Sequence, residues 1–240
     1  MPKTFVAPAA ATRSGRGGVA ATGRRADSAA RLNFLAHLFL ADEDAGSRVG
    51  NLLPDLHRGR LPEGLSPAVM AGVERHRRVD VFTDHHPVFE RSRARLRPRH
   101  GRYSGVIVDV LYDHALTVRW ADYHPQPLST FIAESYELMK NYPGLIPPRV
   151  RAIIHIMSEQ DWLGSYVTVD GIALTLRRLS ARLRERFNRE VDLATAVEEL
   201  RDQYDGFLAD FDAFFPELIA HVAAPGRNHV LPKAPGKPEE

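Results

Sequence analysis

The segment from Tyr103 to Trp120 is apolar on nearly every face that an α-helix would present. Its faces carry Val106, Ile107, Val108, Val110, Leu111 and Ala115. A helix that is hydrophobic all round has to be covered by other elements, so it belongs at the centre of a fold. Charged side chains are rarely buried without partners, so Asp109, Asp113 and His114 of this segment must find theirs inside a surrounding bundle.

The rest of the chain also predicts helices, because its apolar residues recur with helical spacing and no alternation of period two persists. Ser66-Pro67 is a favourable helix start, since serine caps the first amides and proline is tolerated at the first helical position. We predict helices over 32–41, 66–84, 128–142, 147–162, 169–187 and 193–222, a turn of helix over 51–56 that Pro54 interrupts, and a kink near Pro216. The sequence therefore predicts an all-α fold, a single helical bundle over residues 32–222.

Composition limits the chemistry that the chain can perform. The 240 residues contain no cysteine, which excludes disulfides, thiolate catalysis and sulfur-built zinc sites and fits a cytoplasmic protein. No apolar run approaches the roughly 18 residues that cross a bilayer, so no membrane span is expected. Residues 1–31 carry six basic residues against Asp27 alone, which predicts a disordered extension, although transit peptides have a similar composition. We predict a flexible, proline-rich tail over 223–240.

Two groups of acids and histidines indicate a cation site. His76, Asp80 and Asp84 follow one another at a spacing of four, which places consecutive members on one helix face, with Asp84 at its edge. Taken alone, this helix fits equally well with a hydrogen-bonded core histidine and acids that pair with neighbouring arginines.

The second group, Asp109, Asp113 and His114, has no arginine nearby in sequence before Arg119. Carboxylate oxygens and imidazole nitrogens are suitable ligands for manganese, magnesium, iron or zinc. The alternative is a set of salt bridges between helices, which are costly in a core. The two helices together favour metal binding. His114 is rotated by about 100° from Asp113, so the three side chains need not contact the same ion.

Two more residues are candidates for the same site. Asp55 follows Asn51 by four residues and Pro54 directly, so a helix break would present its carboxylate, although turn aspartates are common. His37 follows Asn33 by four residues on the first apolar helix, where a lone histidine is more often a hydrogen-bonded core residue. We include His37 among the predicted metal ligands.

Arginines are concentrated in one part of the chain, at Arg58, Arg75, Arg77, Arg78 and at alternate positions from Arg91 to Arg99. A run of charges usually marks a solvated surface. The functional interpretation is a docking surface for an acidic partner.

Four ordered motifs resemble those of the acyl carrier protein phosphodiesterases, an atypical branch of the HD-type phosphohydrolases. They are Leu32-Asn33-Phe34-Leu35-Ala36-His37-Leu38, Gly50-Asn51-Leu52-Leu53-Pro54-Asp55, His76-Arg77-Arg78-Val79-Asp80-Val81-Phe82-Thr83-Asp84 and Asp109-Val110-Leu111-Tyr112-Asp113-His114. The segment Phe211-Asp212-Ala213-Phe214-Phe215-Pro216 is similar to the last helix of that family.

The resemblance implies a helical HD-like hydrolase that uses a divalent cation, Mn²⁺ first, with Mg²⁺, Fe²⁺ or Zn²⁺ as alternatives. The expected substrate is holo acyl carrier protein, and the expected products are apo carrier protein and 4′-phosphopantetheine. The predicted metal ligands are His37, His76, Asp80, Asp109, Asp113 and His114. The predicted catalytic residues are Asp55, Asp84 and Asn51, and the predicted substrate-binding residues are Arg58, Arg75, Arg77 and Arg78. The usual HD pair is reversed in Asp113-His114, which leaves open which of the two is a ligand.

Two other functions remain open at this stage. A metal phosphohydrolase of nucleotides or other small phosphoesters would keep the metal residues without needing the arginines. A non-enzymatic helical module would bind an acidic protein or RNA without a metal. The basic segments lack base-stacking aromatic residues, so we expect no sequence-specific nucleic-acid recognition.

Overall fold

The computed structural model describes residues 33–188 and 190–224. Within these ranges the chain forms α-helices and no strand, which confirms the predicted all-α fold. The helices are α1 (Phe34–Phe39), α2 (Ala45–Leu56), α3 (Pro67–His85), α4 (Pro87–His100), α5 (Ser104–Val118), α6 (Trp120–Tyr123), α7 (Leu128–Lys140), α8 (Pro148–Glu159), α9 (Val169–Phe187), α10 (Ala196–Asp202) and α11 (Tyr204–Ala223). Short 3₁₀ turns lie at Gly101–Tyr103 and Gly164–Val167. The predicted extension over 1–31 and nearly all of the predicted tail over 223–240 lie outside the described residues.

The apolar segment predicted to be central is α5. Twelve of its fifteen residues are buried, including Asp109, Asp113 and His114. Helices α1, α4, α9 and α11 pack around it. The prediction from its all-round hydrophobicity is therefore confirmed.

The predicted interruption of the helix at Pro54 was wrong. Helix α2 continues through Pro54 to Leu56, so Asp55 lies in its last turn and not at a break. Proline removes one amide donor and its ring crowds the carbonyl four residues earlier, which here belongs to Gly50 in a tightly packed helix. The single helix predicted over 193–222 is divided at Gln203 into α10 and α11. Helix α11 runs through Pro216, where the predicted kink stays a prediction. Burial of Phe211, Phe214, Phe215 and Leu218 holds α11 together around its proline.

Helices α2 and α3 approach each other backbone to backbone through two glycines. A Cβ atom on Gly50 would lie 2.1 Å from the carbonyl oxygen of Val69, and one on Gly72 would lie 2.4 Å from that of Ser47. Real Cβ atoms do not come this close to backbone atoms, so any side chain at either position would push the helices apart. This contact places the residues of α2 directly beside His76 of α3.

The arginines of α4 are bound to the fold by a buried carboxylate. Asp210 of α11, 2% exposed, accepts hydrogen bonds from Arg91 Nε at 2.7 Å, Ser92 Oγ at 2.7 Å and Arg95 Nε at 3.3 Å. Burial raises the pKa of Asp210, but these hydrogen bonds and the charge of Arg95 outweigh it and lower the pKa overall. The ionised carboxylate thus joins α4 to α11.

We expect Asp210→Asn to lower the free energy of unfolding by about 2 kcal/mol at neutral pH, because charge-assisted hydrogen bonds are lost. A depressed pKa in the folded state stabilises the fold above the ordinary carboxyl pKa near 4, and that stability is lost as the pH falls through the folded pKa. The difference between wild type and variant should therefore shrink below about pH 4 in urea titrations. The control is Asp212→Asn, whose exposed pair with Arg119 should contribute under about 1 kcal/mol. Equal losses for both variants would contradict the prediction.

None of the described helices combines the length and the apolar character needed to span a bilayer. The cytoplasmic location inferred from composition stays a prediction.

Candidate functional site

Three predicted ligands from two different helices converge in the interior. His37 of α1, His76 and Asp80 of α3 each offer a donor atom, and these atoms lie within 4.8 Å of one another. The Nε2 atoms of His37 and His76 lie 3.5 Å and 3.3 Å from the two carboxylate oxygens of Asp80. It is the one group of this kind found among the described residues.

Asn51 of α2 fixes the orientation of both imidazoles. His76 Nδ1 donates to the backbone carbonyl of Asn51 at 2.7 Å, and His37 Nδ1 donates to the side-chain Oδ1 of the same residue at 3.1 Å. A neutral imidazole that donates through Nδ1 carries its lone pair on Nε2. In that tautomer both Nε2 lone pairs would be directed toward Asp80 and available to a cation, whereas a protonated imidazole would donate to Asp80 instead. The two rings stack with their centroids 4.2 Å apart.

The donor set fits a divalent cation. Ligands about 2.1 Å from one ion lie about 3.0 to 3.4 Å from each other, which is close to the observed spacing of the Nε2 atoms from Asp80. His37 Nε2 is buried and makes no hydrogen bond with the described residues. Hydrogen bonding of Nδ1 to a carbonyl oxygen is the usual way in which proteins orient a histidine ligand.

The protonation of the three groups follows from burial and from their mutual contacts. Burial lowers the pKa of His37, and the charge of His76 lowers it further. Burial also disfavours the charged form of His76, but the hydrogen bond to Asp80 and the charge of Asp55 outweigh it and raise the pKa. Contacts with the imidazoles of His37 and His76, which are positively charged when protonated, overcome the effect of burial on Asp80 and lower its pKa, so this carboxylate is ionised.

Asp55 lies beside this group. Its Oδ1 is 3.9 Å from His76 Nε2, and its side chain is 5% exposed. Asp80 is 22% exposed, whereas the imidazoles of His37 and His76 are buried. The carboxylate of Asp80 therefore forms the solvent-facing edge of the group, and Asp55 stands within reach of a molecule bound there.

Asp113 and His114, the two adjacent ligands predicted on α5, have other partners. Asp113 accepts hydrogen bonds from the amides of Leu35 at 3.0 Å and Ala36 at 2.9 Å, which are first-turn donors of α1. Burial raises the pKa of Asp113 despite these bonds. His114 uses both ring nitrogens, with the carbonyl of Tyr166 at 2.8 Å and the hydroxyl of Tyr204 at 3.1 Å. Neither belongs to the group of three, and Asp113 contributes by positioning the helix that carries His37.

Asp109 lines a small pocket that does not include the three donors. Asn33 and Thr83 also line this pocket, and each stands one helical turn from His37 or Asp80 in sequence. The remaining lining is mostly aromatic and comes from Phe89, Tyr112, Phe211, Phe214 and Phe215. Asp109 thus shares a pocket with residues that neighbour His37 and Asp80 on their helices, but it lies outside the group of three donors. Its role as a ligand stays a prediction.

The other predicted residues lie at the surface. Asp84 is exposed, one turn beyond Asp80 on α3. Arg75 donates to the Leu40 carbonyl and to Asp42. Arg78 donates to the carbonyls of His221 and Ala224 at the end of α11.

Of the remaining two predicted substrate-binding arginines, Arg77 pairs with Glu74, and Arg58 is exposed after α2. Substrate binding by these arginines stays a prediction, and three of the four would have to give up present partners to perform it.

Sequence reasoning missed the contribution of the Asn51 backbone carbonyl and the helix contact that brings it to His76. A hydrogen bond to a backbone carbonyl cannot be predicted from the type of the residue that carries it. The glycines at positions 50 and 72 were the available signal, since a glycine in a helix is often placed there for close packing.

Comparison with known proteins agrees with these motifs. Residues 32–218 match the family described as acyl carrier protein phosphodiesterase. Curated acyl carrier protein phosphodiesterases of Escherichia coli O9:H4 (strain HS) and Escherichia coli (strain SE11) are 33% identical over 193 residues, which cover 80% of this chain and 98% of the relatives. No solved structure matches the chain significantly, so the HD-like character of the bundle stays a prediction.

Proposed function

The chain belongs to the acyl carrier protein phosphodiesterase family, and from this premise we propose that it removes 4′-phosphopantetheine from acyl carrier protein with the help of a divalent cation. The enzyme class is that of a phosphoric diester hydrolase. The bond to be cut joins the phosphorus of phosphopantetheine to a serine oxygen of the carrier protein.

The observation that carries the proposal is the convergence of His37, His76 and Asp80. These residues would hold the cation, with Mn²⁺ as the first choice and Mg²⁺, Fe²⁺ or Zn²⁺ as alternatives. A cation bound there would supply a lowered pKa for a bound water and charge neutralisation on the non-bridging phosphate oxygens. Two nitrogen donors and a carboxylate suit any of these ions, so the choice of ion rests on the family resemblance.

Asp55 is the side chain best placed to handle the proton of the attacking water. Its Oδ1 lies 3.9 Å from His76 Nε2, so water between the donor group and Asp55 is within hydrogen-bond reach of a carboxylate. As water adds to phosphorus, the bond to the serine oxygen breaks. The proton taken up by Asp55 is then available to the departing serine oxygen. The products are the serine hydroxyl of the apo carrier protein and free 4′-phosphopantetheine.

The decisive experiment is incubation of the full chain with holo acyl carrier protein, with Mn²⁺ or with a chelator, followed by intact-protein mass measurement. The proposal predicts loss of the phosphopantetheine mass with Mn²⁺ and no loss with the chelator. Hydrolysis of a small generic phosphodiester without any change in the carrier protein would indicate a small-phosphoester hydrolase instead. No mass change under any metal condition would overturn the proposed reaction.

Asn51 provides a test of the cation site that does not depend on turnover. Replacing Asn51 by leucine removes the Oδ1 that holds His37 but keeps the backbone carbonyl that holds His76. Loss of one histidine-orienting partner typically costs 10- to 100-fold in metal affinity, and we expect a decrease of about this size for Mn²⁺. Calorimetric titration of the full chain measures it. Asn141→Leu, at an exposed position, is the matched control, and equal affinities for both variants would argue against the site.

A further inference from the structure

The arginines of this protein fall into two sets that differ in their ion pairs. On α3, on α4 and directly after α5, most of the guanidinium groups form ion pairs with carboxylates of the fold. Such pairs join Arg75 to Asp42, Arg77 to Glu74, Arg91 and Arg95 to Asp210, Arg93 and Arg97 to Glu90, Arg99 to Glu198 and Glu199, and Arg119 to Asp212. An acidic partner that docked on these helices would have to compete with existing ion pairs.

Helix α9 is different over most of its length, although Arg184 near its end pairs with Glu190. Within the described ranges, Arg177, Arg178 and Arg182 form no ion pair with a carboxylate of the protein. Arg177 is exposed, and Arg178 and Arg182 are half-buried. Burial lowers the pKa of Arg182, and the nearby charge of Arg178 also lowers it. Two neighbouring guanidinium groups without an acid between them repel each other, and an anion from another molecule would relieve that repulsion.

These two arginines border a cleft with aromatic walls. The cleft is small and is lined by Phe34, Trp162, Tyr166, Thr175, Arg178 and Arg182. The guanidinium of Arg182 lies over the Trp162 ring, 4.6 Å from its centroid. Such stacking keeps the guanidinium in place while its edge remains available to a carboxylate.

The surface beside the cleft is also partly apolar. Leu174 precedes Arg178 by one helical turn and is 38% exposed, and Val167 at the start of the same region is 49% exposed. Together with Trp162 they provide apolar area around the positive charges. We call Leu174, Arg177, Arg178, Arg182 and Trp162 the α9 face.

A short path connects the α9 face to the group of three donors. The ring of Trp162 stacks on that of Phe34, with centroids 6.3 Å apart. Phe34 lies on α1 three residues before His37, a separation of about 5 Å along the helix axis. A protein seated on the α9 face would therefore stand near the end of α1 that leads to His37.

We propose that the α9 face is the docking surface for the acidic carrier protein, with Arg178 and Arg182 receiving carboxylates of that protein and Leu174 and Trp162 contacting its apolar residues. The inference rests on the proposed function, because that function supplies an acidic protein as the substrate. Charge complementarity of this kind mainly sets the rate and specificity of association. It should therefore affect KM far more than kcat.

The test compares Arg178→Glu/Arg182→Glu with wild type in the presence of Mn²⁺. The variant should raise KM for holo acyl carrier protein by about 10-fold or more at low salt, with kcat and the hydrolysis of bis(p-nitrophenyl) phosphate within about twofold of wild type. The difference should shrink at high ionic strength because salt screens exposed charges. The matched control is Arg149→Glu/Arg201→Glu, which makes the same charge change at exposed positions outside the α9 face.

Direct binding separates this inference from the proposed reaction. Titration of metal-free protein with holo acyl carrier protein should give a dissociation constant that rises by about 10-fold or more in the α9 variant only. Failure of wild type to release phosphopantetheine would overturn the reaction, whereas normal release with an unchanged KM in the α9 variant would overturn the docking surface. Loss of RNA binding with unchanged carrier-protein binding would also overturn it. Circular dichroism melts establish that each variant is folded.

Discussion

Asp80→Asn should lower kcat/KM for phosphodiester cleavage by about 10³-fold, equivalent to roughly 4 kcal/mol of transition-state stabilisation. The carboxylate of Asp80 contacts both His37 and His76, at 3.5 and 3.3 Å. Asparagine keeps the shape but removes the negative charge that balances two imidazoles and completes the donor set. The same variant should bind Mn²⁺ weakly in a calorimetric titration.

The control for Asp80→Asn is Glu74→Gln, which neutralises an exposed acid on the same helix. Activity of that variant should remain within about threefold of wild type, because exposed ion pairs contribute little. If Asp80→Asn kept more than a tenth of the wild-type activity together with normal Mn²⁺ affinity, the proposed arrangement of ligands would be wrong.

Gly72→Ala should destabilise the protein strongly, because the added methyl group would collide with the backbone of α2. The new Cβ would lie 2.4 Å from the Ser47 carbonyl oxygen and 2.9 Å from the Asn51 amide nitrogen, both of them backbone atoms that cannot rotate away. We expect a loss of about 3 kcal/mol in the free energy of unfolding, at the upper end of what overpacking costs. Separation of α2 from α3 would also weaken the 2.7 Å bond between Asn51 and His76, so activity should fall at least about 10-fold.

Gly105→Ala distinguishes this steric effect from the general effect of replacing a helical glycine. At Gly105 the nearest atom to a new Cβ is the flexible side chain of Arg93 at 3.5 Å, an ordinary contact. Alanine there should be neutral or stabilise the protein by up to about 1 kcal/mol. Urea unfolding of both variants gives the comparison, and similar stabilities would contradict the tight approach of α2 and α3.

The fold followed from local features of the sequence. The all-round hydrophobicity of α5 marked the central helix, Ser66 caps α3 as expected by accepting a hydrogen bond from the Val69 amide, and the predicted bounds of α9 agree with the structure. Pro54 misled the prediction, because packing of α2 against α3 outweighed the missing amide bond. The family resemblance, drawn from ordered motifs, is confirmed.

The site followed from the sequence only where its members share a helix. His76 and Asp80 lie four residues apart, so their pairing was visible in the spacing. His37 reaches Asp80 from a different helix, and its place in an apolar segment of the sequence did not indicate that partner. Asp113 and His114 show a second limit of the sequence. A buried acid next to a histidine has the same sequence pattern whether the two side chains bind an ion or form hydrogen bonds with backbone groups.

The bonds from Asp113 to the amides of Leu35 and Ala36 have a mechanical consequence. Helix α1 has only six residues, too few to persist on its own in water. The imidazole of His37 is therefore held in position by α5, the buried central helix. A substitution that rotates or shifts α5 should displace His37 even when the substituted residue lies far from any ligand.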